Sequence, residues 1–196
     1  MEKRRKSREQ RLDEIMAAAT KLFSEKGYCQ TTMEDIVRET GLSKGGLYHY
    51  FDSTKTILIE LMSRGNMYYM RYNPHMQSID ATLSREEKAH LLLEAFLDKA
   101  LDVTDEKKVY AMFLFEAMHD QELWEAFIEY ERIFMVYMFG KLGVPIPSCL
   151  DDFYFFSQLL NALLLGQHTT KEPERMLAYK ESLSKMLYPL VLSLIQ

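Results

Sequence analysis

TMEDIVRETGLSKGGLYHYF, residues 32–51, contains two short helical patterns separated by a glycine turn. Met33, Ile36 and Val37 are spaced to share one face of a first helix. Thr31 and Glu34 have the spacing of a capping box, which predicts where that helix starts. Gly41 supplies the left-handed residue that commonly stops a helix and lets the chain turn, and Leu42 plugs the corner. Ser43 is placed to cap a second helix by accepting from backbone N–H groups two or three residues on. Lys44, Gly45, Gly46, Tyr48 and His49 then fall on or near the exposed face of that helix, while Leu47, Tyr50 and Phe51 pack inward. Two helices joined in this way form a helix-turn-helix, whose second helix enters the DNA major groove.

Two consecutive glycines in a short helix cost roughly 1 kcal/mol each relative to alanine. If the helix reads DNA, the missing side chains let its backbone approach the groove floor. Lys44 then reaches guanine acceptors or phosphate, and Tyr48 and His49 reach the sugar-phosphate chain. The alternative is a tight turn in a helical bundle, where glycines serve close packing within the chain.

Residues 12–58 resemble the N-terminal domain of the TetR (tetracycline-repressor) family of bacterial transcriptional regulators. The resemblance is carried by Ile15, Met16, Ala17, Ala18, Ala19, Leu22 and Phe23, then Gly27, Tyr28, Thr31 and Thr32. It continues through Ile36, Val37, Gly41, Leu42 and Ser43 to the run LYHYF, Lys55 and Leu58. Val37-Arg38 stands where many relatives place alanine, without disturbing the apolar spacing. The resemblance implies an all-α protein, with a three-helix DNA-binding domain over residues 1–53 and a larger helical effector-binding and dimerisation domain over residues 54–196. It also implies that Lys55 holds a DNA phosphate. The candidate DNA-binding residues are Thr31, Thr32, Ser43, Lys44, Gly45, Gly46, Tyr48, His49 and Lys55.

Upstream, Leu12, Ile15, Met16, Ala19, Leu22 and Phe23 form one apolar stripe, so the first helix packs under the motif and ends at Gly27. Ahead of it, Lys3, Arg4, Arg5, Lys6, Arg8 and Arg11 face only Glu2 and Glu9. This tail either follows phosphates or is a solvated terminus. Residues 1–55 carry 11 Lys and Arg against 9 Asp and Glu, whereas residues 56–196 carry 13 against 20, within a net charge of −5. The basic charge therefore sits with the DNA motif, and the acidic total argues against a general nucleic-acid binder. Cys29 and Cys149 are too few for a disulfide framework, which points to a reducing compartment. With no apolar signal region and no long apolar run, the expected location is cytoplasmic, away from any membrane.

Downstream the pattern is helical. One helix runs from near residue 54 to before Pro74, and another starts at the Ser84/Glu87 capping box. Further helices are expected over 105–118, 120–140, 150–168 and 173–194, with a loop at VPIP, residues 144–147. Residues 153–166 and 176–195 are more apolar than one helix face requires, and TetR-like proteins dimerise through their two C-terminal helices. A homodimer is therefore expected, reading an inverted repeat on double-stranded DNA with half-sites about 34 Å apart.

Residues 111–139 concentrate aromatic and thioether side chains, which can enclose a flat or flexible apolar ligand or simply fill a core. The candidate effector-binding residues are Met112, Phe115, Glu116, Trp124, Phe127, Tyr130, Phe134, Tyr137, Gln158 and Asn161. Glu116 would balance a cationic effector if it faces inward beside aromatic rings; the alternative is an exposed glutamate at a helix end. No cofactor is expected. A different class is a helical-bundle di-iron carboxylate oxidoreductase, because Glu87-x-x-His90 and Glu116-x-x-His119 repeat the spacing such sites use. Glu87 is better explained as a capping partner, however, and no hydrolase triad, phosphate loop or dinucleotide fingerprint is present. The sequence therefore reads as a ligand-responsive, non-enzymatic transcriptional regulator, a repressor by the family's habit, with no bound metal.

Overall fold

A computed structural model of the chain describes residues 6–144, 151–170 and 173–195, and among these it contains helices and no strand. The expected loop at 145–147, Cys149 and the tail residues Lys3, Arg4 and Arg5 lie outside the described residues. Helix α1, Arg8–Lys26, is opened by a Ser7/Gln10 capping box and closed at Gly27 (φ 90°), whose N–H donates to the Phe23 carbonyl. Helix α2, Met33–Thr40, stops at Gly41 in the left-handed region (φ 65°), and α3, Lys44–Tyr48, is capped by Ser43.

The start of α2 differs from the sequence expectation by one residue. Thr32 and Asp35 form the capping box: the Asp35 N–H donates to Thr32 Oγ1 at 3.2 Å and the Thr32 N–H to Asp35 Oδ2 at 2.9 Å. Thr31 is instead buried, and its hydroxyl donates to the Gly27 carbonyl at 2.9 Å. Both pairs have the right spacing. Only Thr32 lies outside the core, with its oxygen free to face the orphan N–H groups.

Helix α4, Thr54–Tyr72, is opened by a Ser53/Thr56 box and ends at Asn73 as the proline rule predicts. Pro74 then begins a helix as well as ending one. Asn73 caps the short α5, Pro74–Ser78, by accepting from the Met76 N–H at 2.9 Å, and proline fits the first helical position because its missing N–H would be unpaired there anyway. Helix α6, Arg85–Leu101, starts at the expected Ser84/Glu87 box. It is followed by α7, Asp105–Ala117, α8, Gln121–Leu142, and α9, Asp151–His168. The last expected helix is divided, with Pro173–Tyr179 forming a 3-10 helix and α10 running over Lys180–Leu194.

Two apolar clusters hold these elements together. One joins α6, α8, α9 and α10 through side chains such as Leu92, Phe96, Phe139, Phe156 and Val191. The other contains Ile15, Phe23, Ile36, Leu47 and Ile57 from α1–α4, and continues into Val109 and Phe113 of α7 and Phe127 of α8. The N-terminal helices thus share a core with α7 and α8, which fixes the orientation of α3 relative to the rest of the chain. We expect Thr32→Ala to lower the unfolding free energy by about 1 kcal/mol, while Glu34→Ala leaves the urea transition unchanged. The reverse order would restore the Thr31/Glu34 box.

Candidate nucleic-acid interface

The exposed face of α3 follows from how it is anchored. Leu47 is fully buried and Tyr50 and Phe51 pack against the same cluster, so Ser43, Lys44, Gly45, Tyr48 and His49 point outward. Tyr48 retains 43% of its surface. The two glycines have different reasons to be there. A Cβ on Gly46 would stand 3.1 Å from Ser43 Oγ, the atom that accepts from the Gly46 N–H, so Gly46 lets the cap close. A Cβ on Gly45 would meet nothing within 4 Å. Packing within the chain therefore accounts for Gly46 and leaves Gly45 unexplained.

The cations at this face are engaged within the chain. Lys44 Nζ lies 2.9 Å from Glu34 Oε1 and 5.7 Å from the centre of the Tyr48 ring, and the Glu34 carboxylate raises the lysine's pKa. Both partners are well exposed, so water and salt weaken the pair and a phosphate can compete for it. Lys55, in the first turn of α4, contacts Asp120 at 2.6 Å and Glu122 at 3.2 Å at the start of α8, and its pKa is raised by those two carboxylates. Asp120 also caps α8 by accepting from the Glu122 and Leu123 N–H groups. Thr32 is exposed. Thr31 is only 5% exposed, so it leaves the candidate contact set and serves to hold the loop before α2. The acidic partners Glu34, Asp120 and Glu122 were missed by the sequence reading because nothing in their spacing shows which lysine they meet.

The expected effector residues do not converge on one cavity. Phe115 and Trp124 are 55% and 38% exposed, Phe127 is buried in the cluster shared with the N-terminal helices, and Met112 is half-buried. The Tyr130 hydroxyl donates to the Ile59 carbonyl and the Tyr137 hydroxyl to the Met70 carbonyl, tying α8 to α4. Glu116 accepts from the Cys29 thiol at 3.2 Å and so links α7 to the loop before α2. Phe134 and Asn161 line an internal pocket of about 20 Å³, room for one water, and the Nδ2 of Asn161, like the Nε2 of Gln158, has no protein partner. The large concavity lies elsewhere: a cleft of about 1560 Å³ between α1, α4, α6 and α7. Helical spacing marked which residues are apolar without showing which helices stand apart.

The di-iron pairs are not assembled either. Glu87 serves the N-terminus of α6, His90 packs on the Tyr188 ring, and Glu116 is engaged by Cys29. His75, Glu94 and Asp98 do approach one another, but Lys180 Nζ already lies 2.9 Å from Glu94 and 2.7 Å from Asp98, supplying the cation that those carboxylates attract.

Among the described residues the chain is helical and presents a capped, outward-facing helix-turn-helix, the geometry of a DNA-reading unit. Residues 15–61 match the family model of the bacterial regulatory proteins of the tetR family. Over 58 residues, 30% of this chain and 28% of the relative, it is 41% identical to the uncharacterized HTH-type transcriptional regulator YfiR of Bacillus subtilis. Over 74 residues, 35% of this chain and 40% of the relative, it is 39% identical to IcaR of Staphylococcus aureus, a negative transcriptional regulator of the biofilm operon icaADBC. These matches span well under half the length of either relative. Across 97% of both chains the fold superposes on GusR of Salmonella enterica with a TM-score of 0.74 at 16% identity, a likeness of fold alone. The matching family and relatives are transcriptional regulators rather than enzymes.

Gly45→Ala is expected to raise folding stability by about 0.5–1 kcal/mol and, in fluorescence anisotropy at fixed salt, to weaken binding to a selected duplex at least tenfold. Lys44→Ala is expected to weaken the same binding by about tenfold to a hundredfold with dimerisation intact. A stabilised Gly45→Ala protein that binds as tightly as the parent removes the close-approach assignment.

Proposed function

We propose that the chain is a ligand-responsive repressor that binds a palindromic operator as a homodimer and is released by a small-molecule effector. The observation that carries the DNA-reading part is Gly45, which has no side chain on an exposed helix where the chain itself leaves room for one. Residues 1–53 form the reader in this proposal and residues 54–196 the effector-binding and dimerisation part. Ser43, Lys44, Gly45, Gly46, Tyr48 and His49 face the groove, with Thr32 at the start of α2 and Lys55 on the phosphate chain. The protein acts in the cytoplasm; among the described residues no helix is long and apolar enough to cross a membrane.

The dimer forms through α9 and α10. Tyr154 and Phe155 are 50% and 59% exposed on α9, and Met186 is 75% exposed on α10, an apolar surface suited to a second copy. Release follows from linkage: an effector that favours the DNA-incompetent arrangement shifts the dimer away from DNA. Helix α4 carries the change, because it begins beside the reader and runs along the cleft.

Selection of bound sequences from a random duplex library by the purified protein tests this reading. A palindromic consensus is expected; a folded protein that selects no sequence, or one without two-fold symmetry, overturns it. Spin labels on the two reader domains should move apart or together when effector weakens binding, and an unchanged distance would sink the mechanism through α4.

The exchange of Lys55 between carboxylate and phosphate has its own test. Asp120→Asn keeps an acceptor for the α8 cap but removes one of the charges holding Lys55. It is expected to tighten duplex binding severalfold at low salt, with the gain vanishing in Lys55→Gln. No gain in the Lys55 background present would remove the competition.

A further inference from the structure

The cleft between α1, α4, α6 and α7 contains two lysines that no ion pair explains. Lys99 of α6 lies 4.9 Å from the ring centre of Phe134, 5.4 Å from that of Tyr110 and 5.7 Å from that of Tyr69; its nearest polar partner is the neutral Asn66 Oδ1 at 3.4 Å. Lys107 of α7 lies 5.3 Å from the ring centre of the same Tyr69. Among the described residues neither ammonium group has a carboxylate within salt-bridge distance. Both keep a narrow surface facing the cleft while protein encloses them on the other sides.

Asp98, Asp102, Asp105 and Glu106 line the cleft near these lysines, none within salt-bridge distance of either. Asp98 is held by Lys180, and Glu131, which faces Lys99 from α8, accepts from the Ser157 hydroxyl. Toward the α1 side of the cleft, Arg64 gathers Glu9, Asp13 and Glu60. The cleft thus has an acidic side, where Arg64 faces three carboxylates, and an end where Lys99 and Lys107 stand near Asp102, Asp105 and Glu106 without a carboxylate among the described residues in ion-pair contact. Tyr68 and Tyr72, with rings 4.7 Å apart, add exposed aromatic surface along it.

We infer that this cleft binds a small organic anion, with its carboxylate or phosphate head at Lys99 and Lys107 and its apolar body along α4. The inference rests on the proposed ligand-responsive reading and specifies its effector. A charged head placed beside two partly dehydrated ammonium groups supplies the opposite charge that the protein does not, whereas a cationic ligand would add to their repulsion. The acidic side of the cleft disfavours a polyanion, which makes the ligand a small molecule and not a nucleic acid.

The occupant also bears on the reader, because Met16, Ala17 and Thr20 of α1 and Leu61 and Met62 of α4 line the same cleft. Filling it pushes on the two helices that carry the DNA-reading unit.

The state of Lys107 offers a readout independent of DNA. Burial pushes its pKa down to about 8, with Lys99 adding to the shift and Asp102 and Glu106 opposing it. Burial also lowers Lys99, against Glu131. A bound anion raises both, so binding at pH 8.5 draws protons from the buffer.

The test is titration calorimetry of the full chain with 2-naphthoate and with naphthyl phosphate, against 2-naphthalenemethanol and 2-naphthylmethylammonium as neutral and cationic counterparts. At least one anion is expected to bind ten times more tightly than both counterparts, with proton uptake in buffers of different ionisation enthalpy. Preference for naphthoate marks a carboxylate effector and preference for naphthyl phosphate a phosphate ester. Lys99→Met and Lys107→Met, which keep the apolar stem, are expected each to lose that preference while circular dichroism shows an intact fold; Lys107→Gln serves if either methionine variant unfolds. No preference for either anion, or a preference unchanged in the folded variants, overturns the inference. Duplex binding measured on the same samples separates the two readings. If it persists without anion preference, only the anion site fails; if it is absent while the preference stands, the regulator reading fails and the site remains.

Discussion

The packing of α1 and α4 against α7 and α8 is the constraint on which the rest of the molecule depends. Phe23, Ile36, Leu47 and Ile57 are each fully buried, and the cluster they belong to is completed by Val109, Phe113 and Phe127 from the other part of the chain. Three short helices of this size bury little apolar surface by themselves, so their orientation is set by what they lean on. The polar contacts across the same junction, Lys55 to Asp120 and Glu122 and Cys29 to Glu116, are partly exposed and individually weak. They add to a registration of the two parts that the shared apolar core sets. A helix placed to enter a groove needs that registration, because an error of a few ångströms at the junction becomes an error in where both recognition helices of a dimer stand.

The fold was largely legible because its signals are local. Capping residues, stop glycines and apolar periodicity act within one turn of helix, and they placed α2 to α4 and the start of α6 within a residue or two, whereas α1 begins at Arg8, inside the stretch read as a basic tail. Where two local readings competed, the sequence lacked the deciding fact. Thr31/Glu34 and Thr32/Asp35 both have capping-box spacing, and tertiary burial of Thr31 decides between them. Pro74 ends one helix and opens another, and only its role as a stop was used. The division of the last segment at Tyr179 has no side-chain cap to announce it.

The candidate sites were legible to the extent that they lie on one element. The outward face of α3 is a matter of spacing around Leu47, so it could be read in the sequence. The effector residues could not, because a cavity is a property of the gap between helices. Phe115, Trp124 and Phe127 are close in sequence and chemically alike, yet two lie at the surface and one in the core. Lys99 and Lys107 read as ordinary charged positions on helical surfaces. Their lack of a carboxylate appears only once the fold sets Tyr69, Tyr110 and Phe134 around Lys99 and Tyr69 beside Lys107.

The same geometry limits what kind of coupling a repressor of this build can have. The reader's core extends into α7, and α7 also forms one wall of the cleft, so an occupant can act on the reader without any relay through the distant α9 and α10. In the proposed regulator the coupling need only be of ordinary size, about 1–3 kcal/mol: if Lys44 and Lys55 exchange carboxylate contacts for phosphate ones, the net gain on DNA is smaller than a count of cations suggests. Under that proposal, a reader whose cations are paired in the free state binds DNA less strongly than one with free lysines, which lowers the push from the cleft needed to release it.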